Sequence, residues 1–219
     1  MNISRKTFRG FAGMLILAAL IIAFINQMVD PEIESYVGRV VRYFSYFTEY
    51  SNILVMLWFL NKSILNERIK FLNKESVKGA LKLYIIVAGI VFFLVLNKAW
   101  NQEGIAKLQS YTLHGFAPIA FILDWIIFDE KGNYKYKDIK LWIVFPIVYL
   151  FVALFIGKMI GVYPYPFLDL NKISILEFLN YLVYLVIAFI GLALIIVTID
   201  KLLYKFGILR NSKTEIKYN

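Results

Sequence analysis

Six blocks of almost unbroken apolar residues run through the chain, approximately Gly10 to Met28, Phe44 to Leu60, Ala80 to Leu96, Gln109 to Phe128, Leu141 to Ile160 and Phe178 to Ile199. A hydrocarbon core roughly 30 Å thick takes about 20 helical residues to cross, and each block approaches that length. The blocks are continuously apolar rather than alternating, which predicts helices and not barrel strands, because in lipid every backbone must satisfy its own hydrogen bonds. At 60% hydrophobic and 17% aromatic, the chain is too apolar for an exterior in water. The expectation is an all-α fold: a polytopic protein of the cell membrane, a bundle of six transmembrane helices forming a single domain over residues 1–219.

The first block follows Arg5, Lys6 and Arg9 as a signal peptide would. It is followed by Asn26-Gln27-Met28-Val29-Asp30 instead of small residues suited to cleavage, so a retained anchor is expected. The net charge of +9 does not call for nucleic acid, since the basic residues are expected in loops beside the spans. With six crossings, one side holds Arg5, Lys6 and Arg9, the six between Lys62 and Lys82, the four between Lys131 and Lys140, and the five from Lys201 onward. The other side holds only Arg39, Arg42, Lys98, Lys107, Lys158 and Lys172. The positive-inside rule then places both termini in the cytoplasm. Absence of cysteine excludes disulfides, thiol catalysis and thiolate metal sites. The cytoplasmic loops read as solvated connections without chemistry.

The outer loops are richer. Asp30-Pro31 reads as a helix start, and Ile33, Val37, Val40 and Phe44 then recur at helical spacing, predicting an interfacial helix that leads into the second span. The run Tyr163-Pro164-Tyr165-Pro166-Phe167-Leu168-Asp169 contains prolines that forbid a regular helix. Its aromatics suit either a membrane-interface belt or a lid over a site. Ser174 with Glu177 resembles a capping box opening the sixth span.

Polar residues inside spans are costly and mark candidate chemistry. Thr48 lies six residues after Arg42 and His114 seven after Lys107. At 1.5 Å per residue both sit roughly 9 to 10 Å inside the outer ends of their helices. Thr48, Ser51 and Asn52 share one face of the second span at i, i+3, i+4 spacing. A threonine hydroxyl needs a base to become a nucleophile, and a neutral imidazole is the usual one. His114 is the only histidine. A threonine in a membrane helix also commonly bonds the preceding turn's carbonyl, and a lone histidine can serve as an interhelical hydrogen bond. Asp124, about 15 Å along the helix from His114, reads as a structural partner in the inner half. Glu49 points about 100° away from Thr48, and Asp169 can approach from the loop. No metal, nucleotide or other cofactor is expected.

The runs Phe44-Ser45-Tyr46-Phe47-Thr48-Glu49-Tyr50-Ser51-Asn52, Leu113-His114-Gly115-Phe116-Ala117-Pro118 through Asp124-Trp125, and Tyr163 to Asp169 resemble a bacterial family of six-span membrane proteins, the Pr-six-Pr family. That family is similar at a distance to the androgen-induced membrane proteins of animals, intramembrane threonine hydrolases of fatty acid esters of hydroxy fatty acids. The resemblance implies Thr48 as nucleophile and His114 as base, with lipid esters as substrate and membrane lipids as surroundings. Asn52 is a candidate oxyanion donor, and Ser51, Asn52 and Asp169 are candidate substrate-binding residues. The rival expectations are a small transporter or channel, with Pro118 and Pro146 breaking helices four and five, and a non-enzymatic membrane scaffold.

Overall fold

The computed structural model describes residues 3–97 and 102–207, and every regular element among them is helical. In chain order these are α1 (Ile3–Met28), α2 (Tyr36–Tyr43), α3 (Phe47–Ser63), α4 (Glu75–Val91) with a π-helical extension Phe92–Leu96, α5 (Gly104–Tyr111), which runs through a π turn Thr112–Phe116 into α6 (Ala117–Phe128), then α7 (Ile139–Ile160) and α8 (Ile175–Lys205). Lys98 and the basic residues from Arg210 onward lie outside the described residues.

Five helical segments are long and apolar enough to cross a membrane: Ile3–Met28, Glu75–Leu96, Gly104–Phe128, Tyr136–Ile160 and Ile175–Lys205. They carry five of the six apolar blocks. The remaining block, expected as the second span, folds as α3, a shorter helix of 17 residues. α3 lies along α1, and α4 packs against α3, α6, α7 and α8, so α4 is the centre of the bundle. α7 and α8 are mostly exposed and turn large apolar side chains outward, among them Val144, Phe151 and Phe155 on α7 and Leu179, Val183 and Ile187 on α8. A face of that size is unfavourable in water and suited to lipid.

Local sequence accounts for several helix ends. Ser174 and Glu177 form the expected capping box at the start of α8, each side chain bonding the other's end of the first turn. The short amphipathic helix after α1 begins later than Asp30-Pro31 suggested. Asp30 instead accepts from Glu32 N in a tight turn, and Ser35 caps α2 by accepting from Gly38 N. Pro146 does not break its helix, since α7 continues through it. Pro118 does leave a mark. It lacks the N–H that would bond the His114 carbonyl four residues back, and its ring crowds that carbonyl. The π turn Thr112–Phe116 immediately before it widens the helix at this point.

At the end of the bundle where α1 begins, the structure departs from the expected solvated loops. Arg9 is 1% exposed and makes a two-point pair with Asp124, Nε to Oδ1 at 2.6 Å and Nη2 to Oδ2 at 2.7 Å. Asp129, from the loop after α6, contacts Arg9, Arg5 and Lys78. Lys82 is buried beneath Trp125 and Tyr134 and donates to the Tyr134 hydroxyl at 2.5 Å, while Asp200 accepts from Tyr134 N. Lys78 and Lys82 therefore belong to a buried network rather than a basic loop. Asp124 is the structural partner its position implied.

Candidate functional site

The other end of the bundle brings Thr48 and His114 together. Thr48 stands in the first turn of α3 and is 5% exposed; His114 stands in the π turn before α6 and is 4% exposed. His114 Nε2 lies 3.3 Å from Thr48 Oγ1. Nδ1 lies 2.8 Å from the carbonyl oxygen of Ser110. A carbonyl can only accept, so Nδ1 carries the proton and Nε2 presents its lone pair to the threonine hydroxyl. Thr48 does not spend its hydroxyl on its own helix, because no turn of α3 precedes it. The ring of His114 is held flat against Phe92, with centroids 4.0 Å apart and planes 13° apart.

Gly89 allows this placement. A Cβ there would come within 2.7 Å of the His114 carbonyl oxygen and 3.2 Å of the Pro118 ring. The backbone of α4 thus runs directly against the widened turn that carries His114.

The third member of the site is Tyr165, from the Tyr-Pro-Tyr-Pro loop. Its hydroxyl accepts from Thr48 N at 3.3 Å and lies 3.4 Å from Thr48 Oγ1. Thr48 N is one of the first-turn N–H groups that an α-helix leaves without an internal partner, and Tyr165 supplies one. The loop is seated inward. Pro166–Leu168 forms a single 3-10 turn, Tyr163 lies over Gly157 where a larger residue would clash, and Tyr165 stacks on Phe167 at 5.1 Å. Tyr163, Tyr165 and Phe167 are all buried, so the loop covers the site instead of forming an aromatic belt. Burial pushes the Tyr165 hydroxyl up to about 12, against the pull of its bonds to Thr48. It is therefore a neutral donor at any working pH.

Two chambers meet at this point. One is apolar, about 360 Å³, and is walled by α3, α4, α7, α8 and the Tyr-Pro loop through residues such as Val87, Pro146, Leu150, Phe167, Leu182 and Phe189. The other is polar, about 390 Å³, and is walled by the end of α1, the turn after it, α3 and α5 through Asn26, Gln27, Asp30, Glu49, Gln109 and His114. Among the described residues, Thr48 is the one that lines both.

The remaining sequence candidates lie differently. Ser51 and Asn52 are fully buried on the expected face, but Ser51 Oγ donates to the Phe47 carbonyl and Asn52 Nδ2 to the Thr48 carbonyl, each bonding back along its own helix. Neither lines either of these two chambers. Asp169 accepts from Asn171 N and pairs with Lys172, which fixes the loop rather than reaching Thr48. Glu49, set aside on helical angle, does face the polar chamber, because that chamber wraps around the end of α3. Tyr165 was present in a conspicuous motif, but its contact with Thr48 spans more than a hundred residues and leaves no local signal. Among the described residues, no three His, Cys, Asp or Glu are grouped to hold a metal ion.

Compared with models of known protein families, with curated proteins and with solved structures, the chain matches none.

Proposed function

We propose that the chain is an intramembrane hydrolase of lipid esters, related to the six-span families whose motifs it resembles. The observation that carries this reading is the position of Thr48: hydrogen-bonded to an imidazole of the correct tautomer, at the junction of an apolar and a polar chamber. An acyl chain fits the first chamber, the alcohol part of the ester the second, and the carbonyl between them lies at Thr48 Oγ1. Fatty acid esters of hydroxy fatty acids are the substrate class that the resemblance implies.

In the mechanism, Thr48 Oγ attacks the acyl carbonyl carbon as its proton passes to His114 Nε2. The tetrahedral intermediate collapses, the ester C–O bond breaks, and His114 returns the proton to the leaving alkoxide. Water entering through the polar chamber gives a proton to the same nitrogen as it attacks the acyl-threonine carbonyl; the C–Oγ bond then breaks, the fatty acid leaves, and His114 returns that proton to Thr48 Oγ. The Ser110 carbonyl holds the ring and favours the imidazolium that forms at each step, as the orienting group of a catalytic triad does. Tyr165, a neutral donor beside Oγ1, stabilises developing negative charge, and the positive end of α3 acts in the same sense. The distance of 3.3 Å is loose for a catalytic hydrogen bond but ordinary for a site without substrate.

The membrane placement follows from the same reading. We count α3 as a sixth span, because 17 residues rise about 25 Å, near the short limit for crossing. Six crossings put both termini on one side, and the excess of Lys and Arg there makes it the cytoplasm of a cell-membrane protein. The site then lies in the outer half, with lipid reaching it laterally between α7 and α8. A transporter reading finds less support. Between Thr48 and the Arg9 network, α3 is filled by buried Val55, Met56 and Trp58, with Arg9 itself packed over the Trp58 ring.

The deciding experiment labels the purified protein with a serine/threonine-directed fluorophosphonate and offers it lipid esters, alongside Thr48→Ala and His114→Ala. Folded wild type that neither labels nor hydrolyses above these variants removes the proposal.

A further inference from the structure

Glu49 is 7% exposed and lines the polar chamber, and its Oε2 has no hydrogen-bond partner. A buried carboxyl oxygen left unpaired is costly, and one on the wall of a polar chamber can be met by a donor that enters there. The surrounding wall shows what that partner is. Asn26, Gln27 and Gln109 offer amides, and Asp30 adds a second carboxylate whose oxygens are already occupied by Gln27 Nε2 and Glu32 N, both at 2.9 Å. Among the described residues that line the chamber there is no lysine or arginine.

A chamber lined by two carboxyl groups and no cation offers a carboxylate or phosphate no direct counter-ion, since Arg42 stands behind Tyr46 and bonds its hydroxyl, and it accepts hydrogen bonds from hydroxyl groups. Across Thr48 lies the apolar chamber, which offers an acyl chain only hydrophobic contacts. Resting on the lipid-ester hydrolase reading, we infer that the substrate is a single-chain fatty acyl ester of a small neutral polyol, of the monoacylglycerol class. The Glu49 carboxyl accepts a free hydroxyl of the alcohol part. Glu49 is thereby a specificity-determining residue rather than a participant in bond cleavage. The same chamber disfavours esters whose alcohol part ends in a free carboxylate, so on this inference the chain departs from the substrate class that the resemblance implies while keeping the hydrolase chemistry.

The test compares kcat/KM of the purified full-length protein for three esters of one acyl chain: monodecanoylglycerol, ethyl decanoate, and the decanoyl ester of a long-chain hydroxy fatty acid. Wild type is expected to favour monodecanoylglycerol over each of the others by about tenfold or more, since a site built to bond a hydroxyl rejects an analogue lacking it. Glu49→Leu should bring the ratio of glycerol ester to ethyl ester close to one. Glu49→Gln, which keeps a carbonyl acceptor and nearly the same shape, should hold the ratio within about threefold of wild type. Equal turnover of the glycerol and ethyl esters, or a preference for the carboxylate-bearing ester, overturns the assignment and leaves the hydrolase reading standing. An unchanged ratio in folded Glu49→Leu removes Glu49 from the role. Absence of any Thr48-dependent turnover with all three esters overturns both readings.

Discussion

The imidazole of His114 is tied through Nδ1 to the carbonyl oxygen of Ser110, one turn earlier in the chain, at 2.8 Å. That single bond decides which nitrogen is free to act on Thr48. His114→Gln keeps a polar side chain at the position but supplies no base. It should lower ester hydrolysis by about 10²- to 10⁴-fold, the usual contribution of general base catalysis, while the protein remains folded by size-exclusion profile and far-UV circular dichroism. Thr48→Ala should lose as much, and the double variant little more than either single one, because the two residues act as a unit.

Tyr165→Phe removes only the hydroxyl that meets Thr48 N and Oγ1. A buried N–H at the start of α3 is then left unpaired, costing about 1–3 kcal/mol. Thermal unfolding in detergent should shift down accordingly, and hydrolysis should fall by roughly tenfold as a stabilising donor is lost. The sign of any pH effect follows from the raised pKa. An unfolded tyrosine ionises near about 10 and folded Tyr165 at about 12, so its contribution to stability is complete below the unfolded value and is lost as the pH rises through the folded one. The wild-type advantage over Tyr165→Phe should therefore be constant from neutral pH until that alkaline range and shrink within it.

Much of this was legible along the chain. The apolar blocks mark the helices because lipid forces a continuous apolar run onto a spanning segment. Thr48 and His114 do meet, but not by equal rise from Arg42 and Lys107: the chain breaks between α2 and α3, so Thr48 stands in the first turn of α3 while His114 stands well inside the helical run that starts at Gly104. What stayed hidden depends on which helices are neighbours. Ser51 and Asn52 share a face with Thr48, yet periodicity cannot tell that Ser51 Oγ and Asn52 Nδ2 return to the backbone of α3. Lys78 and Lys82 look like loop charges, and only the approach of Asp129 and Tyr134 from the loop after α6 explains their burial. Tyr165 and Glu49 enter the site by tertiary folding, one from a distant loop and the other because the polar chamber curves around a helix end.

Gly89→Ala tests whether the site depends on the close approach of α4 to the widened turn. The added methyl would meet the His114 carbonyl oxygen, a backbone atom that cannot rotate away. Either α4 or the turn must shift. Overpacking of this kind costs about 1–3 kcal/mol, and the movement falls on the residue that must reach Thr48. Activity should drop by more than tenfold in a protein whose fluorophosphonate labelling is also slowed, whereas Gly191→Ala, which adds its methyl in open space on α8, should leave both unaltered.

The pair of Arg9 and Asp124 lies at the opposite end of the bundle and should govern stability rather than catalysis. Both side chains are about 1% exposed and meet through two short bonds. Removing one partner strands the other as an uncompensated buried charge, so Asp124→Leu should destabilise by about 3–5 kcal/mol. Arg9→Met should do the same, and the guanidinium's position over the Trp58 ring adds a packing loss. Combining the two leaves neither charge stranded, although Asp129 loses its contact with Arg9. Reversible unfolding of the four proteins in mixed micelles should show the double variant recovering at least half of the summed single losses. Strictly additive losses would mean that Arg9 and Asp124 each serve other members of the network more than one another, with Lys78 and Asp129 as the next pair to examine.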